Sequence, residues 1–189
     1  PEVLLKNLDF YVAHQKKLVV GGTGFTKEQK AQLEKAASII PVVYAPNMSL
    51  GINVCLGLIR QASKILKEYD AEVFEAHHSL KKDAPSGTAL ALGRAIAEGR
   101  GQVLEEVADL NRHDVKKERE HGTIGFATVR GGNIIGDHSA MFIGPYERVE
   151  ITHKAQSREA FAQGALVAAR WLKDKDKGLY DMQDVLGLK

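Results

Sequence analysis

Two adjacent histidines and a nearby lysine are the residues of this chain best suited to acid–base catalysis. His77 and His78 precede Lys81 in the stretch EAHHSLKKDAPSGTAL, and the apolar residues of AEVFEAHH predict a β-strand that ends at about His77. Functional sites in α/β sheets gather beyond the carboxyl ends of strands, so these side chains can share one pocket. An imidazole exchanges protons near neutral pH, and an ammonium group neutralises negative charge or donates a proton itself.

The turn that follows the lysine predicts an anion-binding helix N-terminus. Because Pro85 disfavours the helical region at the residue before it, Asp83-Ala84-Pro85 is expected to form an extended turn. Ser86-Gly87-Thr88 then opens a helix whose first backbone N–H groups can bind a carboxylate or a phosphate. Together with the histidines and the lysine, these amides indicate a pocket for a small substrate with more than one negative charge.

Two other kinds of site fit this stretch poorly. A metal site would require spacings such as His-x-x-x-His, or cysteines and carboxylates nearby, so no metal site is predicted. A serine hydrolase built on Ser86 would require the Gly-x-Ser-x-Gly pattern and an acidic partner, and neither is evident. The pattern therefore favours acid–base chemistry on an anionic substrate.

The remaining histidines and the single cysteine are predicted to have no catalytic role. Cys55 lies on the apolar face of a predicted helix, so a buried structural thiol is expected. A histidine that stands alone is more often a surface or core residue than a catalyst. The histidines that stand alone in this sequence are His14, His113, His121, His138 and His153.

The composition narrows the class of partner. Charged residues make up 26% and hydrophobic residues 44% of the 189 residues, as in ordinary globular proteins. The formal net charge is +2, and no block of Lys and Arg is long enough to follow a nucleic-acid backbone. No apolar run approaches a membrane span, and neither a signal peptide nor a disulfide framework is indicated. We therefore expect a cytoplasmic protein with a small-molecule partner and no nucleic-acid or membrane partner.

Hydrophobic periodicity predicts an α/β fold that begins with a helix, a strand, a helix and a second strand. The first helix covers residues 1–15, and KLVVGG follows as a buried strand. Thr26 and Gln29 make a capping box for the next helix, and IIPVVYAP is the second buried strand. A doubly wound sheet normally begins with a strand, so the first helix lacks a sheet to receive its apolar face. We therefore expect the chain to be a fragment that lacks N-terminal strands.

The rest of the chain predicts a sheet that is apolar on both faces. A long amphipathic helix follows Ser49, and the charged run RHDVKKEREH, predicted to be a solvated loop, precedes three strands joined by glycine-containing turns. Ile124, Phe126 and Thr128 alternate with glycine and apolar residues on the opposite face. Helices can cover only one of these faces, so we expect another subunit to cover the other.

The stretch EAHHSLKKDAPSGTA closely resembles the signature of the dihydrodipicolinate reductases, also called 4-hydroxy-tetrahydrodipicolinate reductases. Segments that resemble the family in the family's order are VVGGTGFT, YAPNMSLGIN, GTIGFATVRGGNIIGDHSAMF, ERVEITHKA and GLYDMQDVL. The resemblance covers nearly all of the chain. It implies reduction of a small cyclic dicarboxylate, 4-hydroxy-tetrahydrodipicolinate, to tetrahydrodipicolinate with NADH or NADPH, in lysine and diaminopimelate biosynthesis.

The resemblance also implies a domain organisation of α/β and α+β character. Residues 1–48 correspond to the C-terminal remnant of a Rossmann-like dinucleotide-binding domain. Residues 49–156 correspond to a mixed-sheet domain that binds the substrate and assembles homotetramers. Residues 157–189 correspond to a helical segment that returns to the dinucleotide-binding domain.

Individual roles follow from the same resemblance. His77 matches the catalytic histidine that donates or accepts a proton, and Lys81 matches the catalytic lysine that donates one. His78, Gly87 and Thr88 match residues that bind the substrate. The positions that match two cofactor-binding loops are Gly21, Gly22, Thr23, Ala45, Pro46, Asn47 and Met48. The family often has threonine in place of the second glycine and phenylalanine in place of the methionine, so these two contacts are expected to differ in detail.

The chain departs from the family in one large respect. The glycine-rich phosphate loop and the residue that discriminates the ribose 2′ position have no counterpart, and Pro1 corresponds to a position well inside the cofactor domain. A pyrophosphate would therefore lack its helix N-terminus, so we expect weak dinucleotide binding and little activity from this chain by itself. The alternative function is that of a non-catalytic domain that binds the substrate and forms oligomers.

Overall fold

In the computed structural model the chain divides into two units. The structure describes residues 1–113 and 115–189. The first unit comprises Pro1–Asn53 and Glu159–Lys189, and the second unit comprises Val54–Arg158.

Helices and strands alternate along much of the chain, and the predicted mixed α/β fold class is confirmed. In chain order the helices are α1 (Glu2–Lys6), α2 (Leu8–Ala13), α3 (Lys27–Ala37), α4 (Leu50–Ile65), α5 (Gly87–Arg100), α6 (Leu104–Val107), α7 (Glu159–Leu172) and α8 (Met182–Val185). The strands are β1 (Leu18–Val20), β2 (Pro41–Tyr44), β3 (Asp70–His77), β4 (Ala108–Asp109), β5 (Ile124–Arg130), β6 (Asp137–Ile143), β7 (Arg148–Lys154) and β8 (Gly178–Tyr180).

A three-stranded parallel sheet with the strand order β1-β2-β8 forms the centre of the first unit. Val42 and Val43 of β2 are fully buried, which explains why this strand appears in the sequence as a continuous apolar run. The predicted capping box is confirmed: Thr26 Oγ1 accepts a hydrogen bond from the Gln29 N–H at 3.2 Å, and Gln29 Oε1 accepts one from the Thr26 N–H at 3.0 Å. Helix α3 therefore begins where its sequence indicates.

The single helix predicted over residues 1–15 is wrong. Two short helices, α1 and α2, replace it, because Asn7 adopts φ −107° and ψ 5° between them and leaves the helical conformation. Leu8 is the buried residue of these two helices, and Leu4 and Val12 are only partly buried beside it. Most helix stability in proteins comes from packing of an apolar face, and this segment has little of it.

A five-stranded mixed sheet with the order β4-β5-β3-β6-β7 forms the framework of the second unit. The central strand β3 is parallel to β5 and antiparallel to β6. On one face of the sheet, Val73 of β3, Ile124 of β5 and Phe142 of β6 form a core with Ile96 of α5. This core fixes β3 and α5 relative to one another.

The opposite face of the mixed sheet is much less covered. Ala127 and Val129 of β5 are exposed, and Phe74 of β3 and Met141 of β6 are half-buried. These side chains share one face because their positions alternate with those of the core residues along each strand. This is the face for which the sequence predicts cover by another subunit, and that cover stays a prediction.

Part of the charged run that was predicted to be a solvated loop is instead held against β3. Arg119 Nη1 lies 2.7 Å from Asp70 Oδ1, and Arg119 Nε lies 3.1 Å from Glu72 Oε1. Arg112 Nη2 contacts the same oxygen of Glu72 at 2.7 Å. The loop prediction is therefore wrong for these two arginines, because the acidic side chains at the start of β3 pair with them. One residue of the run, Asp114, lies outside the described residues.

Helix α4 carries the single cysteine. Cys55 is partly buried against the core of the second unit, and burial raises the pKa of its thiol. Such a thiol is mostly protonated at neutral pH and is a poor nucleophile, which agrees with the structural role predicted for it.

Helix α4 has 16 residues, and no helix of the described residues is both long enough and apolar enough to cross a bilayer.

Helix α7 packs against the loop after β2 through a glycine. Gly164 is buried, and a Cβ atom at this position would overlap the carbonyl oxygen of Met48. The missing side chain therefore sets how closely α7 approaches residues 45–48, which are predicted to contact a cofactor.

We expect Gly164→Ala to destabilise the first unit by roughly 2 kcal/mol or more, because the helix or the loop must move to accommodate the added methyl group. At an ordinary helix position the same change stabilises a protein by up to about 1 kcal/mol, so the sign of the effect is itself informative. The free energy of unfolding in urea measures the effect, with Gln163→Ala at an exposed position of the same helix as the control. A Gly164→Ala protein that is more stable than the unchanged one would contradict this close packing.

Candidate functional site

His77 is the last residue of β3 and lies at the carboxyl end of this central strand. Its side chain shares one face of the sheet with Glu75, since residues two apart in a strand point the same way. Glu75 is fully buried, and its Oε2 lies 2.5 Å from Nδ1 of His77. A buried carboxylate therefore contacts the imidazole that the sequence predicts to be at the centre of the site.

The carboxylate of Glu75 is paired with Arg130 at the end of the parallel strand β5. The guanidinium donates from Nη1 to Oε2 at 2.9 Å and from Nη2 to Oε1 at 2.8 Å, which is a bidentate ion pair. Arg130 Nη2 also donates to the carbonyl oxygen of Asp83 at 2.6 Å, and the Ser86 N–H donates to Glu75 Oε1 at 3.0 Å. This ion pair therefore joins β3, β5 and the turn that opens α5.

Hydrogen bonds keep Glu75 ionised in spite of its burial. Burial alone would raise the pKa of this carboxyl group, but the hydrogen bonds from Arg130, His77 and Ser86 outweigh that effect and hold the pKa below its ordinary value. The hydrogen bond to Glu75 raises the pKa of the Arg130 guanidinium, against the opposing effect of burial. Both partners are therefore charged at neutral pH.

The ionised carboxylate of Glu75 fixes the position of a proton on His77. A carboxylate only accepts hydrogen bonds, so Nδ1 of His77 carries the proton that faces Glu75. Burial lowers the pKa of His77, the contact with Glu75 opposes this shift, and the charges of Lys81 and Arg130 add to it. The ring is therefore mostly neutral at neutral pH, and Nε2 is the nitrogen that can exchange a proton with a substrate.

Glu75, His77 and Arg130 form a cluster of side chains to which His138 also belongs. The prediction that His138 stands alone is therefore wrong. It lies on β6 opposite Glu75, and its ring centre is 5.0 Å from that of His77 in an edge-to-face arrangement. Nε2 of His138 lies 3.1 Å from Oγ of Ser86, which caps α5 by accepting a hydrogen bond from the Ala89 N–H at 3.1 Å. These residues meet because β3 and β6 are neighbours, which the spacing in the sequence does not reveal.

Lys81 and His78 lie on the loop that leaves β3 after His77. Lys81 donates from Nζ to Asp83 Oδ1 at 2.8 Å, and its charge is close enough to lower the pKa of His77. His78 is half-buried, and its carbonyl oxygen accepts a hydrogen bond from the Lys81 N–H at 3.1 Å. The structure therefore brings the predicted histidines and lysine together at one edge of the sheet.

Gly87 and Thr88 are the first residues of α5 after its N-cap, Ser86. Gly87 is exposed with open space around its Cα, and Thr88 is half-buried. The N-terminus of a helix carries a partial positive charge that suits a carboxylate. Because the Ser86 N–H donates to Glu75, the turn that begins this helix is tied to the ion pair beside His77.

The atoms of Glu75, His77 and His138 that could bind a metal all lie within 4.8 Å of one another. This grouping has a geometry that a metal could use, although none was predicted from the sequence. Both oxygens of Glu75 already accept hydrogen bonds from Arg130, and the positive charge of that guanidinium opposes a second cation here. The arrangement therefore suits an acid–base group better than a metal centre.

The residues predicted to contact a cofactor lie in the first unit, in the loops that follow β1 and β2. These strands are parallel, with Val20 paired to Tyr44, so both loops leave the same edge of the sheet. A Cβ atom at Gly21 would lie 3.3 Å from Cγ of Met48, so the two loops approach one another closely. The exposed members of the loops are Gly21, Gly22, Thr23 and Pro46, Asn47 is half-buried, and Ala45 and Met48 are buried.

Hydrogen bonds within the first unit hold the second of these loops. Asn47 Oδ1 accepts a hydrogen bond from the Ser49 N–H at 2.9 Å, and the Asn47 carbonyl oxygen accepts one from Asn53 Nδ2 at 3.0 Å. Gln183 Nε2 in turn donates to the carbonyl oxygen of Asn53 at 2.8 Å. Exposed backbone at the carboxyl ends of parallel strands suits the sugar and amide groups of a dinucleotide, so the residues present fit a ligand of this kind.

Three members of the cluster, Glu75, Arg130 and His138, were not identified from the sequence. A charged residue at an inward-facing position of a buried strand is rare unless it is paired, and this signal could have identified Glu75. Its partner, Arg130, could be recognised only once β3 and β5 were known to be neighbours.

A cleft of about 400 Å³ elsewhere in the second unit is lined by β4 and the charged run, and none of the predicted site residues lines it.

We expect the stability of the second unit to fall as the pH decreases. His138 is only 4% exposed, and its burial, together with the charge of His77, lowers its pKa from 6.5 to about 4. Between these values the unfolded chain binds a proton that the folded chain does not, so the free energy of unfolding rises with pH across this window. The contribution of His138 is on the order of 3 kcal/mol, and the lowered pKa of His77 acts in the same direction.

Urea unfolding between about pH 7 and about pH 4.5 measures this dependence. The substitution His138→Gln is expected to remove most of the slope, whereas His121→Gln, at an exposed position of the same unit, is expected to retain it. An undiminished slope in the His138→Gln protein would contradict the burial of a neutral imidazole at this position.

Comparison with known families assigns both parts of the chain to one family. Residues 1–48 match the family pattern described as dihydrodipicolinate reductase, N-terminus. Residues 51–186 match the one described as dihydrodipicolinate reductase, C-terminus. These two matches cover most of the chain.

Individual relatives match the chain over its whole length. A protein named 4-hydroxy-tetrahydrodipicolinate reductase from Syntrophotalea carbinolica is 50% identical over 190 residues, which cover 100% of this chain and 71% of that protein. The protein of the same name from Burkholderia multivorans is 53% identical, over 100% of this chain and 72% of that protein. The solved structure of dipicolinate-bound dihydrodipicolinate reductase from Paenisporosarcina sp. TG-14 aligns with a TM-score of 0.76 and 25% identity, over 97% of this chain and 69% of that chain. The chain therefore belongs to the dihydrodipicolinate reductase family.

Proposed function

We propose that this protein reduces 4-hydroxy-tetrahydrodipicolinate to tetrahydrodipicolinate with NADH or NADPH, in lysine and diaminopimelate biosynthesis. The similarity of the whole chain to 71% and 72% of two proteins of that name supports the reaction class. The observation that carries the proposal for the site is the position of His77, which is oriented by a buried carboxylate and lies beside Lys81 and the N-terminus of α5.

The substrate that suits this site is a small cyclic dicarboxylate. The partial positive charge at the start of α5, at Gly87 and Thr88, supports the binding of one carboxylate. The ammonium group of Lys81 and the imidazole of His78 support binding of the remaining negative charge. The solved relative from Paenisporosarcina contains dipicolinate, which is a molecule of this class.

The side chains of the second unit supply protons and stabilise charge. The 4-hydroxyl group leaves as water, which gives the conjugated ring of dihydrodipicolinate, and a bound dinucleotide would supply a hydride to carbon 4 of that ring. Lys81 Nζ and His77 Nε2 are the groups proposed to deliver a proton to the neighbouring carbon. A neutral His77 has no proton on Nε2, so it must first bind one there, and the ionised Glu75 stabilises the imidazolium that forms. The amides of Gly87 and Thr88 stabilise the negative charge that develops on the substrate.

The loops at residues 21–23 and 45–48 of the first unit are proposed to hold the nicotinamide and its ribose. Their exposed backbone and their position at the carboxyl edge of parallel strands support this assignment. The 2′ substituent that distinguishes NADPH from NADH is on the adenosine ribose, which these loops are not proposed to contact, so the proposal includes both NADH and NADPH.

We also propose that the chain assembles a homotetramer through the less covered face of the mixed sheet. The exposed Ala127 and Val129 and the half-buried Phe74 and Met141 support an interface with further copies of this chain. An apolar sheet face of this kind is normally covered, and a closed symmetric assembly is the common way to cover it.

In a protein that also carries the glycine-rich phosphate loop, we expect Lys81→Ala and His77→Ala to lower kcat by at least about 100-fold, the scale of a lost proton donor or charge stabiliser. Lys82→Ala is the matched control, because this neighbouring lysine is exposed and is expected to leave kcat within about twofold. Loss of nicotinamide absorbance during turnover of 4-hydroxy-tetrahydrodipicolinate measures the rates. Near-normal turnover of both alanine variants would overturn the catalytic roles. Dipicolinate binding without any turnover, in a protein that carries the phosphate loop and is otherwise unchanged, would favour the alternative, a non-catalytic substrate-binding domain.

We expect Val129→Asp to convert the assembly into smaller species, because it would place a charge inside the proposed interface. Sedimentation velocity at micromolar concentration measures the change. Leu166→Asp, at a position that is 59% exposed in the first unit, is the control and is expected to leave sedimentation unaltered. A monomeric unchanged protein, or an assembly that tolerates Val129→Asp, would contradict the proposed interface.

A further inference from the structure

We propose that Glu75 and Arg130 are positioning residues for the reduction: their buried ion pair holds His77 as the Nδ1-protonated tautomer and stabilises its protonated form during proton transfer. This inference rests on the proposed function and deepens it. It names the groups that make one imidazole effective in acid–base chemistry, although neither group contacts the substrate in this proposal.

Strand register brings these groups together. Glu75 is opposite Thr128 on β5 and His138 on β6, and His77 is opposite Arg130. Side chains at directly opposed positions of neighbouring strands lie on the same face of the sheet, so all five groups face the side of the sheet on which α5 packs. The cluster is therefore built by the pairing of three strands.

The hydrogen bonds of Glu75 leave its carboxylate little freedom to rotate. Oε1 accepts from Arg130 Nη2 at 2.8 Å and from the Ser86 N–H at 3.0 Å, and Thr128 Oγ1 lies 3.4 Å away. Oε2 accepts from Arg130 Nη1 at 2.9 Å and lies 2.5 Å from Nδ1 of His77. The guanidinium therefore aims one oxygen at the imidazole, and a shift of the imidazole would break a hydrogen bond to a fully buried charge.

A structural role alone explains this pair poorly. Well-packed apolar side chains often stabilise a core as much as a buried ion pair does, because the charges must first lose their hydration. Glu72 on the same strand also pairs with arginines, Arg112 and Arg119, but its side chain is 19% exposed and these contacts do not involve a histidine. Comparison of Glu72 with Glu75 therefore distinguishes the effect of an ion pair on β3 from the effect of contact with an imidazole.

The electrostatics around His77 show what the carboxylate contributes. The titratable and charged groups that act on or contact His77 are Glu75 on the same strand, Arg130 on β5, His138 on β6 and Lys81 in the loop. Behind them, Asp83 accepts hydrogen bonds from Lys81 and Arg130, and the Ser86 N–H donates to Glu75. Burial lowers the pKa of His77, Glu75 raises it, and Lys81 and Arg130 lower it further. Without the carboxylate, burial and the charges of Lys81 and Arg130 would all act against protonation.

Glu75→Gln tests the inference with little change in shape. An amide whose oxygen takes the place of Oε1 keeps the hydrogen bonds from Arg130 Nη2 and the Ser86 N–H, and it presents its NH₂ to Nδ1 of His77, which moves the ring proton to Nε2. We expect kcat to fall by about 10- to 100-fold with KM for the dicarboxylate within about threefold, since the substrate contacts remain. We also expect the limb of the pH profile that belongs to His77 to move to lower pH. The control is Glu72→Gln, which is expected to alter neither kcat nor the profile.

A double-mutant cycle with His77→Ala separates positioning from folding. If Glu75 acts through His77, then Glu75→Gln costs less than about threefold in kcat once the imidazole is gone. If Glu75 only stabilises the fold, the reductions of kcat caused by Glu75→Gln and by His77→Ala multiply in the double variant. Arg130→Lys is the second variant: it keeps the charge but loses the bidentate contact, so an intermediate loss of kcat is expected.

Titration of His77 by nuclear magnetic resonance keeps the test independent of the proposed function, because it requires neither substrate nor dinucleotide. We expect a lower pKa for His77 in the folded Glu75→Gln protein than in the unchanged protein, and no shift in the Glu72→Gln protein. An unchanged pKa of His77, or multiplicative losses in the cycle, would overturn the inference. Lack of reductase activity in a protein that also carries the glycine-rich phosphate loop, together with the expected shift, would overturn the proposed function and leave the pairing intact.

Discussion

Glu75 is a carboxylate with no exposure to water, and it accepts hydrogen bonds from its own strand, from β5 and from the turn before α5. A charge in such a place must be satisfied completely, because an unpaired buried carboxylate costs several kcal/mol. The bidentate contact with Arg130 meets this requirement and also fixes the direction of the carboxylate. The position of His77 and the start of α5 both depend on this one interaction.

The two units contribute different chemistry to the proposed reaction. The second unit supplies the titratable groups at the carboxyl end of β3, and its helix α5 adds a partial positive charge. The first unit supplies two backbone loops at the carboxyl ends of parallel strands and no charged side chain within those loops. This division suits an enzyme in which the cofactor carries the redox chemistry and the protein provides orientation and protons.

Local signals in the sequence predicted much of the fold. Apolar runs, the capping box of α3 and the strand that ends at His77 depend on neighbours in the sequence, so they were predictable. The helix over residues 1–15 was mispredicted because packing, and not periodicity, decides whether such a segment continues past Asn7. The contacts of Glu75 with Arg130 and His138 could not be predicted, since they depend on which strands become neighbours of β3.

An ionised Glu75 sets the protonation of His77 in this site. Nitrogen-15 chemical shifts of the imidazole ring, measured in the unchanged protein above the pKa of His77, test this claim most directly because the two ring nitrogens are reported separately. We expect a protonated Nδ1 facing Glu75 and an unprotonated Nε2. A protonated Nε2, or rapid averaging of the proton between both nitrogens, would contradict it.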